Sequence, residues 1–217
     1  WPFAMATIRV SADSVDIAVF ARAPQPGATK TRLIPALGAA GAARLQRRLI
    51  LNAMHNAIRI GSGNITLWCA PDTQHHFFRA LHTHCGANVC SQSGSDLGAR
   101  MAHAFAVHGG PMLLIGTDCP ALQTTHLARA AGLLRNGNDA VFIPAEDGGY
   151  VLVGLRQPQP GLFENIEWGS EQVMAQTRDR LARLGLRWTE LLTLWDVDRP
   201  ADLARLATLE GFSEWTS

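Results

Sequence analysis

Short apolar runs rich in β-formers alternate with longer stretches of helical period along most of this chain, and that alternation leaves few folds open. Asp16 to Ala21 (DIAVFA) is short, apolar and followed by a Pro/Gly loop, so it reads as a buried strand. Leu45, Leu49, Ala53 and Ala57 then recur every four residues beside Ile50, Met54 and Ile58, which is the stripe of an amphipathic helix. Arg44, Arg47, Arg48 and Arg59 fall largely off that stripe, as a solvated face does. Further strands are expected over residues 65–69, 87–90, 112–117, 140–144, 150–155 and 188–194. Helices are expected over 73–84, 95–108, 126–135, 170–184 and 201–209. Such alternation implies an α/β fold with a mostly parallel sheet covered on both faces. Only AEDGG lies between 140–144 and 150–155, too little for a helical crossover. An antiparallel pair must enter there, and the sheet is expected to be mixed.

The 217 residues suit a single domain spanning 1–217, with Trp1 to Ala4 read as a cloning remnant ahead of Met5. Hydrophobic residues at 47% and charged residues at 17% exclude disorder. A formal net charge of +1 gives no argument for nucleic acid or a membrane surface as partner. No apolar run approaches the roughly 18 residues of a membrane span, and no charged-then-apolar leader opens the chain. Cys69, Cys85, Cys90 and Cys119 form no C-x-x-C pair and read as reduced thiols of a cytoplasmic protein.

In open α/β sheets, ligands bind outside the carboxyl ends of the strands. Four polar clusters fall at such ends. The first runs from Arg22 to Arg32 (RAPQPGATKTR). Its prolines stiffen the loop, Gly27 can supply a positive φ, and Lys30, Thr31 and Arg32 offer cations and a hydroxyl to phosphates. It lacks the G-x-x-x-x-G-K-[ST] spacing of a Walker loop, and an ordinary basic loop is the plain alternative. The second is GTDCP, where Asp118 ends the apolar run LLI. An acid at a strand tip either caps the next helix or holds a hard cation such as Mg²⁺ or Mn²⁺ against phosphate. The third, Glu146-Asp147-Gly148-Gly149-Tyr150, is either a hairpin turn or a tight backbone fold around a ligand. The fourth is Asp196-Val197-Asp198-Arg199-Pro200, where Asp198 could cap a helix with Pro200 in its first turn. Capping explains one of those acids and not both. Taken jointly, Asp118, Asp147, Asp196 and Asp198 should converge on one rim, where uncompensated carboxylates raise each other's pKa. A divalent cation facing the cationic loop would relieve that repulsion. His75, His76, His82 and His84 fit no standard zinc spacing and read as helix surface, and Cys119 reads as a packed thiol.

At these residues the chain resembles a bacterial family. FARAPQPGATKTRL, SDLGARM, LLIGTDCPAL, PAEDGGYVLVGL, WGS and DVDRPADL occur in the same order as in the DUF2064 group. That group is also called radical-SAM/selenodomain-associated transferase 1 or arsenosugar-biosynthesis-type glycosyltransferase. The resemblance implies a GT-A-like, three-layer α/β/α sandwich of the nucleotide-diphospho-sugar transferase type. It is also similar to the nucleotidyltransferases that make molybdopterin dinucleotide and the deazaflavin cofactor. By the same resemblance Arg22, Gly27, Lys30, Thr31 and Arg32 would meet phosphates, and Asp96 and Arg100 would lie near the nucleotide. Asp118 would be the principal ligand of a Mg²⁺ or Mn²⁺ ion, completed by Asp196 or Asp198. Asp147, Gly148, Gly149, Tyr150 and Trp168 would border the sugar or acceptor. Many GT-A glycosyltransferases carry Asp-x-Asp at the strand end, whereas here Pro120 stands in the third position. Single-Asp sites are common among the nucleotidyltransferase relatives.

Three functions follow as expectations. The first is metal-dependent glycosyl transfer from a nucleoside-diphosphate sugar to a small acceptor, with Lys30 and Asp147 in catalytic roles. The second is nucleotidyl transfer from a nucleoside triphosphate with release of pyrophosphate. The third is a non-catalytic nucleotide-binding protein. A monomer or a homodimer is compatible with each.

Overall fold

The computed structural model describes residues 14–61 and 63–215. The reading of Trp1 to Ala4 as a cloning remnant lies outside them. Seven strands form one sheet among the described residues: β1 (Asp16–Arg22), β2 (Ile65–Ala70), β3 (Asn88–Ser91), β4 (Met112–Ile115), β5 (Ala140–Pro144), β6 (Tyr150–Leu155) and β7 (Trp188–Glu190). Their spatial order is β3-β2-β1-β4-β6-β5-β7. All neighbours run parallel except β6, which is antiparallel to both β4 and β5. The short AEDGG connection therefore produces the mixed sheet that its length demands. Because β6 runs backwards, its first residue, Tyr150, lies at the same rim as the last residues of β1 and β4.

Period-two alternation sends each strand's side chains to two separate cores. Ile17, Val19, Leu113, Ile115, Val141, Ile143 and Leu152 meet Ile50, Met54, Phe78 and Leu127. These last belong to α1 (Ile34–Ile60), α2 (His76–Cys85) and α4 (Thr124–Arg135). Ala18, Phe20, Leu114, Phe142 and Val153 meet Met101, Phe105, Met174 and Leu181 on the other face. That layer is built from α3 (Leu97–His108) and α5 (Val173–Arg183). The result is the expected α/β/α sandwich. Among the described residues no helix is long and apolar enough to cross a membrane.

A third cluster was not foreseen. Leu33, Leu45 and Leu49 from the start of the chain pack on Trp195, Val197, Leu203, Leu206, Phe212 and Trp215 from its end. Leu203 and Leu206 belong to α6 (Asp202–Leu206). This apolar contact holds the cationic loop ahead of α1 against the DVDRP segment, although the two lie far apart in sequence.

Some boundaries differ from expectation for local reasons. The helix expected over 170–184 starts at Val173, because a turn occupies 168–172 and Ser170 Oγ accepts from Gln172 N at 3.2 Å. The strand expected over 188–194 keeps three residues, after which Leu191 N donates to Phe142 O at 2.9 Å and a bridge joins Leu194 to Ala145. The helix expected over 201–209 starts at Asp202 and ends early, at Leu206.

The loop after β4 is pinned from α1. Asn52 Nδ2 donates to Pro120 O at 3.3 Å, and Asn56 Nδ2 donates to Leu122 O at 3.0 Å. Asn56 Oδ1 accepts from Thr124 N and Thr124 Oγ1, each at 3.1 Å. Replacing Asn56 by Ala orphans these half-buried groups, so chemical denaturation should show a loss of about 2 kcal/mol. A loss within error of zero would mean that water replaces the amide at no cost.

Candidate functional site

A cleft of about 750 Å³ opens at the carboxyl rim of the central strands. Arg22 ends β1, and the loop after it turns at Gly27, whose φ of 82° confirms the positive torsion. Lys30 has φ 47° and ψ 43°, a left-handed conformation that costs a non-glycine residue about 1–2 kcal/mol. The torsion folds its side chain inward, where only 4% of it is exposed. Lys30 Nζ donates to Val197 O at 2.5 Å and lies 2.9 Å from Asp118 Oδ1. Arg32, exposed at the mouth, is ion-paired with Asp198. Lys30 and Arg32 thus engage acids on the opposite wall, and Arg22 lines the cleft beside them.

Asp118 directly follows β4's rim turn, and its backbone carbonyl accepts from Val197 N at 2.9 Å. That bond puts Asp118 beside the Asp196–Asp198 segment. The carboxyl of Asp196 is pushed up to about 7, first by burial and then by the charges of Asp118 and Asp147, against the pull of Lys30. The acids share one electrostatic neighbourhood, as repelling groups at a strand rim must. Among the described residues no three His, Cys, Asp or Glu side chains are gathered into a ready-made metal cage. Asp118 and the half-buried Asp196 nevertheless supply the hard oxygens that Mg²⁺ or Mn²⁺ takes in pairs, with phosphate and water completing the shell. The donor set fits such an ion.

Other foreseen residues divide between walls. Thr31, Asp96, Arg100 and Tyr150 line the same cleft. Asp96 has a structural duty as well, because it caps α3 by accepting from Ala99 N at 2.8 Å. Arg100 Nε donates to Gly94 O at 3.2 Å, which fixes its stem. Tyr150 OH lies 4.0 Å from Met101 Sδ, and burial pushes its phenol above its ordinary range, so it stays protonated.

Asp147 faces a neighbouring cavity of about 590 Å³ that shares Arg32, Asp196 and Asp198 with the cleft. Its Oδ1 accepts from Gly149 N at 3.0 Å, the turn that the hairpin alternative required. Gly148 has φ 89°, and a Cβ there would sit 2.1 Å from Glu171 O. The glycine is present because the hairpin rests on the turn before α5. Trp168 lies further off and lines a separate groove beside Asp96. It packs edge-on to Tyr150 at 6.3 Å and against Gly98, where a Cβ would come within 2.5 Å of the indole. The structure therefore brings Lys30, Arg32, Asp118, Asp196 and Asp198 together and leaves Gly148, Gly149 and Trp168 as shaping residues.

Asp198 does not cap the following helix. α6 starts without a side-chain cap, and Asp202 in its first turn reaches back to the preceding loop, its Oδ2 accepting from Asp198 N at 2.9 Å and Arg199 N at 2.7 Å. The carboxylate of Asp198 is thereby free for Arg32. Cys119 is 7% exposed, and burial with the nearby Asp196 charge pushes its thiol up to about 12. It is a packed thiol and no nucleophile. Sequence reasoning missed Gln46 and Gln92, which also line the cleft. A polar residue inside an apolar helical stripe was the available signal for Gln46.

Fold and rim together define an α/β/α domain of the nucleotide-diphospho-sugar transferase type. Residues 53–170, more than half of the 217, match the family described as uncharacterized protein conserved in bacteria, DUF2064, and the chain belongs to that family. A presumed nucleotide-diphospho-sugar transferase from Desulfovibrio desulfuricans G20 is 28% identical, with a TM-score of 0.80 over 91% of this chain and 89% of its own. CMP:2-keto-3-deoxy-manno-octonic acid synthetase, solved with CTP, is 12% identical, with a TM-score of 0.58 over 88% of this chain and 96% of its own. The 4-diphosphocytidyl-2C-methyl-D-erythritol synthase of Anaerococcus prevotii DSM 20548 is 10% identical, with a TM-score of 0.56 over 88% and 95% respectively. The last two share the fold. No curated protein matches this chain.

Asp196 yields a pH signature. A carboxyl raised to about 7 keeps its proton in the folded chain where the unfolded chain, near the ordinary 3.8, has already lost it. Stability therefore falls as pH rises through that window, and the penalty is complete above it. Asp196→Asn should flatten the decline in melting temperature between about pH 4 and pH 7. An unchanged slope would show that Asp196 ionises at no cost.

Proposed function

We propose that this protein is a transferase that binds the diphosphate of a nucleoside-diphosphate sugar in the rim cleft and passes the sugar to a small acceptor. The observation that carries the reading is the opposition of Lys30 and Arg32 to Asp118, Asp196 and Asp198 across one cleft at the strand tips. Two cations on one wall suit phosphate oxygens, and carboxylates on the other suit a divalent ion carried with them. The 28% identity with the Desulfovibrio protein supports the sugar-nucleotide donor. Asp118 and Asp196 would hold a Mg²⁺ or Mn²⁺ ion, which when bound would screen the charge of the departing diphosphate. Lys30, almost sealed from water, would face that same charge at close range.

The acceptor would enter the neighbouring cavity. Asp147 faces it and would orient the attacking hydroxyl or take its proton. Six carboxylates (Glu146, Asp147, Glu171, Asp196, Asp198 and Asp202) surround that space against three guanidiniums (Arg32, Arg199 and Arg205). The excess of negative charge favours a neutral polyol or an amine over a phosphorylated or carboxylated acceptor.

Nucleotidyl transfer from a nucleoside triphosphate is the second reading. It is favoured by the lone acid of GTDCP, where Pro120 replaces the second carboxylate of Asp-x-Asp. Both readings use the same cationic loop, so substrates must decide. Incubation with radiolabelled sugar nucleotides and Mn²⁺ should give transfer or slow hydrolysis of the sugar, and Lys30→Met should lower it about a hundredfold. Pyrophosphate release from a triphosphate would reverse the order of the two readings. Unaltered nucleotide affinity with no turnover of any donor would leave a binding protein.

A further inference from the structure

Gln46 lies in the apolar stripe of α1 and is 2% exposed. Leucine or methionine would fill such a position, so the amide needs a reason. A buried amide without a partner costs about 1–3 kcal/mol. Its Nε2 donates to Thr117 Oγ1 at 3.1 Å, and Thr117 is itself 5% exposed. Thr117 Oγ1 in turn donates to Asp118 Oδ1 at 3.3 Å. An amide nitrogen can only donate, so Thr117 receives at its lone pair and its single proton remains for Asp118. Lys30 Nζ approaches the same Oδ1 at 2.9 Å. Among the described residues no protein donor is found for Oδ2, and the Asp118 side chain is 51% exposed.

We propose that Gln46 and Thr117 are positioning residues for Asp118. The chain from Gln46 through Thr117 fixes Oδ1 against Lys30 and so leaves Oδ2 as the oxygen that meets the cation carried by the bound diphosphate. The inference rests on the reading of the cleft as a diphosphate and cation site, and it adds two residues of the cleft lining that act through the Asp118 carboxylate. Gln46 acts only through Thr117. A polar residue that merely satisfied a local packing need would have no such dependence.

The test uses the full chain, with Mn²⁺ alone and Mn²⁺ with inorganic pyrophosphate as probes, read by electron paramagnetic resonance. Four proteins are compared with wild type: Thr117→Ser, Thr117→Val, Gln46→Met and the double variant Gln46→Met/Thr117→Val. Thr117→Val should weaken Mn²⁺–pyrophosphate binding about tenfold, the usual scale for removing a group that orients a metal ligand. Thr117→Ser keeps the hydroxyl and should bind within about twofold of wild type on the same scale. Gln46→Met should weaken binding on its own yet add nothing in the Thr117→Val background, the non-additivity of groups acting in series. The double variant should also melt higher than Thr117→Val alone, because it removes the amide left without its partner. Additive losses, or a Thr117→Ser protein that folds and binds as poorly as Thr117→Val, would overturn the relay. If Thr117→Val does not fold, the Thr117→Ser and Gln46→Met affinities still decide, since unchanged binding in Gln46→Met contradicts the proposal. A wild-type protein that binds neither probe would overturn the site reading and the relay with it. A wild type that binds both while the variants match it would overturn the relay alone.

Discussion

The ammonium of Lys30, shut away from water and shared between the Val197 carbonyl and the Asp118 carboxylate, is the contact on which the rest of this rim depends. A lysine with 4% of its side chain exposed needs hydrogen-bonding partners for its polar head. That pairing requires the β1 loop, the β4 tip and the DVDRP segment to meet at one point. The requirement is met by apolar contact: Leu33, Leu45 and Leu49 against Trp195, Val197 and the helix that follows. The left-handed torsion of Lys30 persists because both partners over-determine it. The third apolar cluster thus serves the chemistry as directly as the charged groups do.

The same logic explains why separated motifs occur together. Gly98 of SDLGARM is bare because the Trp168 indole lies where its Cβ would be. Gly148 of EDGG is bare because the carbonyl of Glu171, just beyond WGS, occupies the equivalent space. Met174 N then donates to Gly148 O at 2.8 Å, so the hairpin supplies an acceptor to the first turn of α5. These glycines mark close packing between elements. They hold the hairpin, α3 and α5 in the register that sets the width of the cleft.

Much of the fold was legible because its signals are local. Strand and helix periods over 16–58 and 112–155 follow from side-chain spacing, and the mixed sheet follows from the length of AEDGG. The gathering of acids was legible from rule-bound topology, since parallel strands end at one rim. Pairings within that rim were not. Nothing near Asp198 announces that Asp202 will bind back to the amides of Asp198 and Arg199 and leave the Asp198 carboxylate to Arg32, because that turn forms only in the folded loop ahead of α6. Which cavity each acid and ring would line was not legible: Trp168 lines a groove beside Asp96 and Asp147 the cavity next to the cleft, which only the folded hairpin decides. Gln46 was hidden for the opposite reason. One polar residue in a long helix is common, and its meaning appears only when Thr117 lies across from it.

The central claim is that opposed charges at the strand tips hold a diphosphate with its cation. Anomalous diffraction from crystals grown with a nucleoside diphosphate and Mn²⁺ tests this most directly. The account expects an ion bound at Asp118 Oδ2, with the phosphates between it and Lys30 and Arg32. An ion and diphosphate seated in the groove beside Trp168, with the Lys30–Asp118 pair untouched, would contradict it.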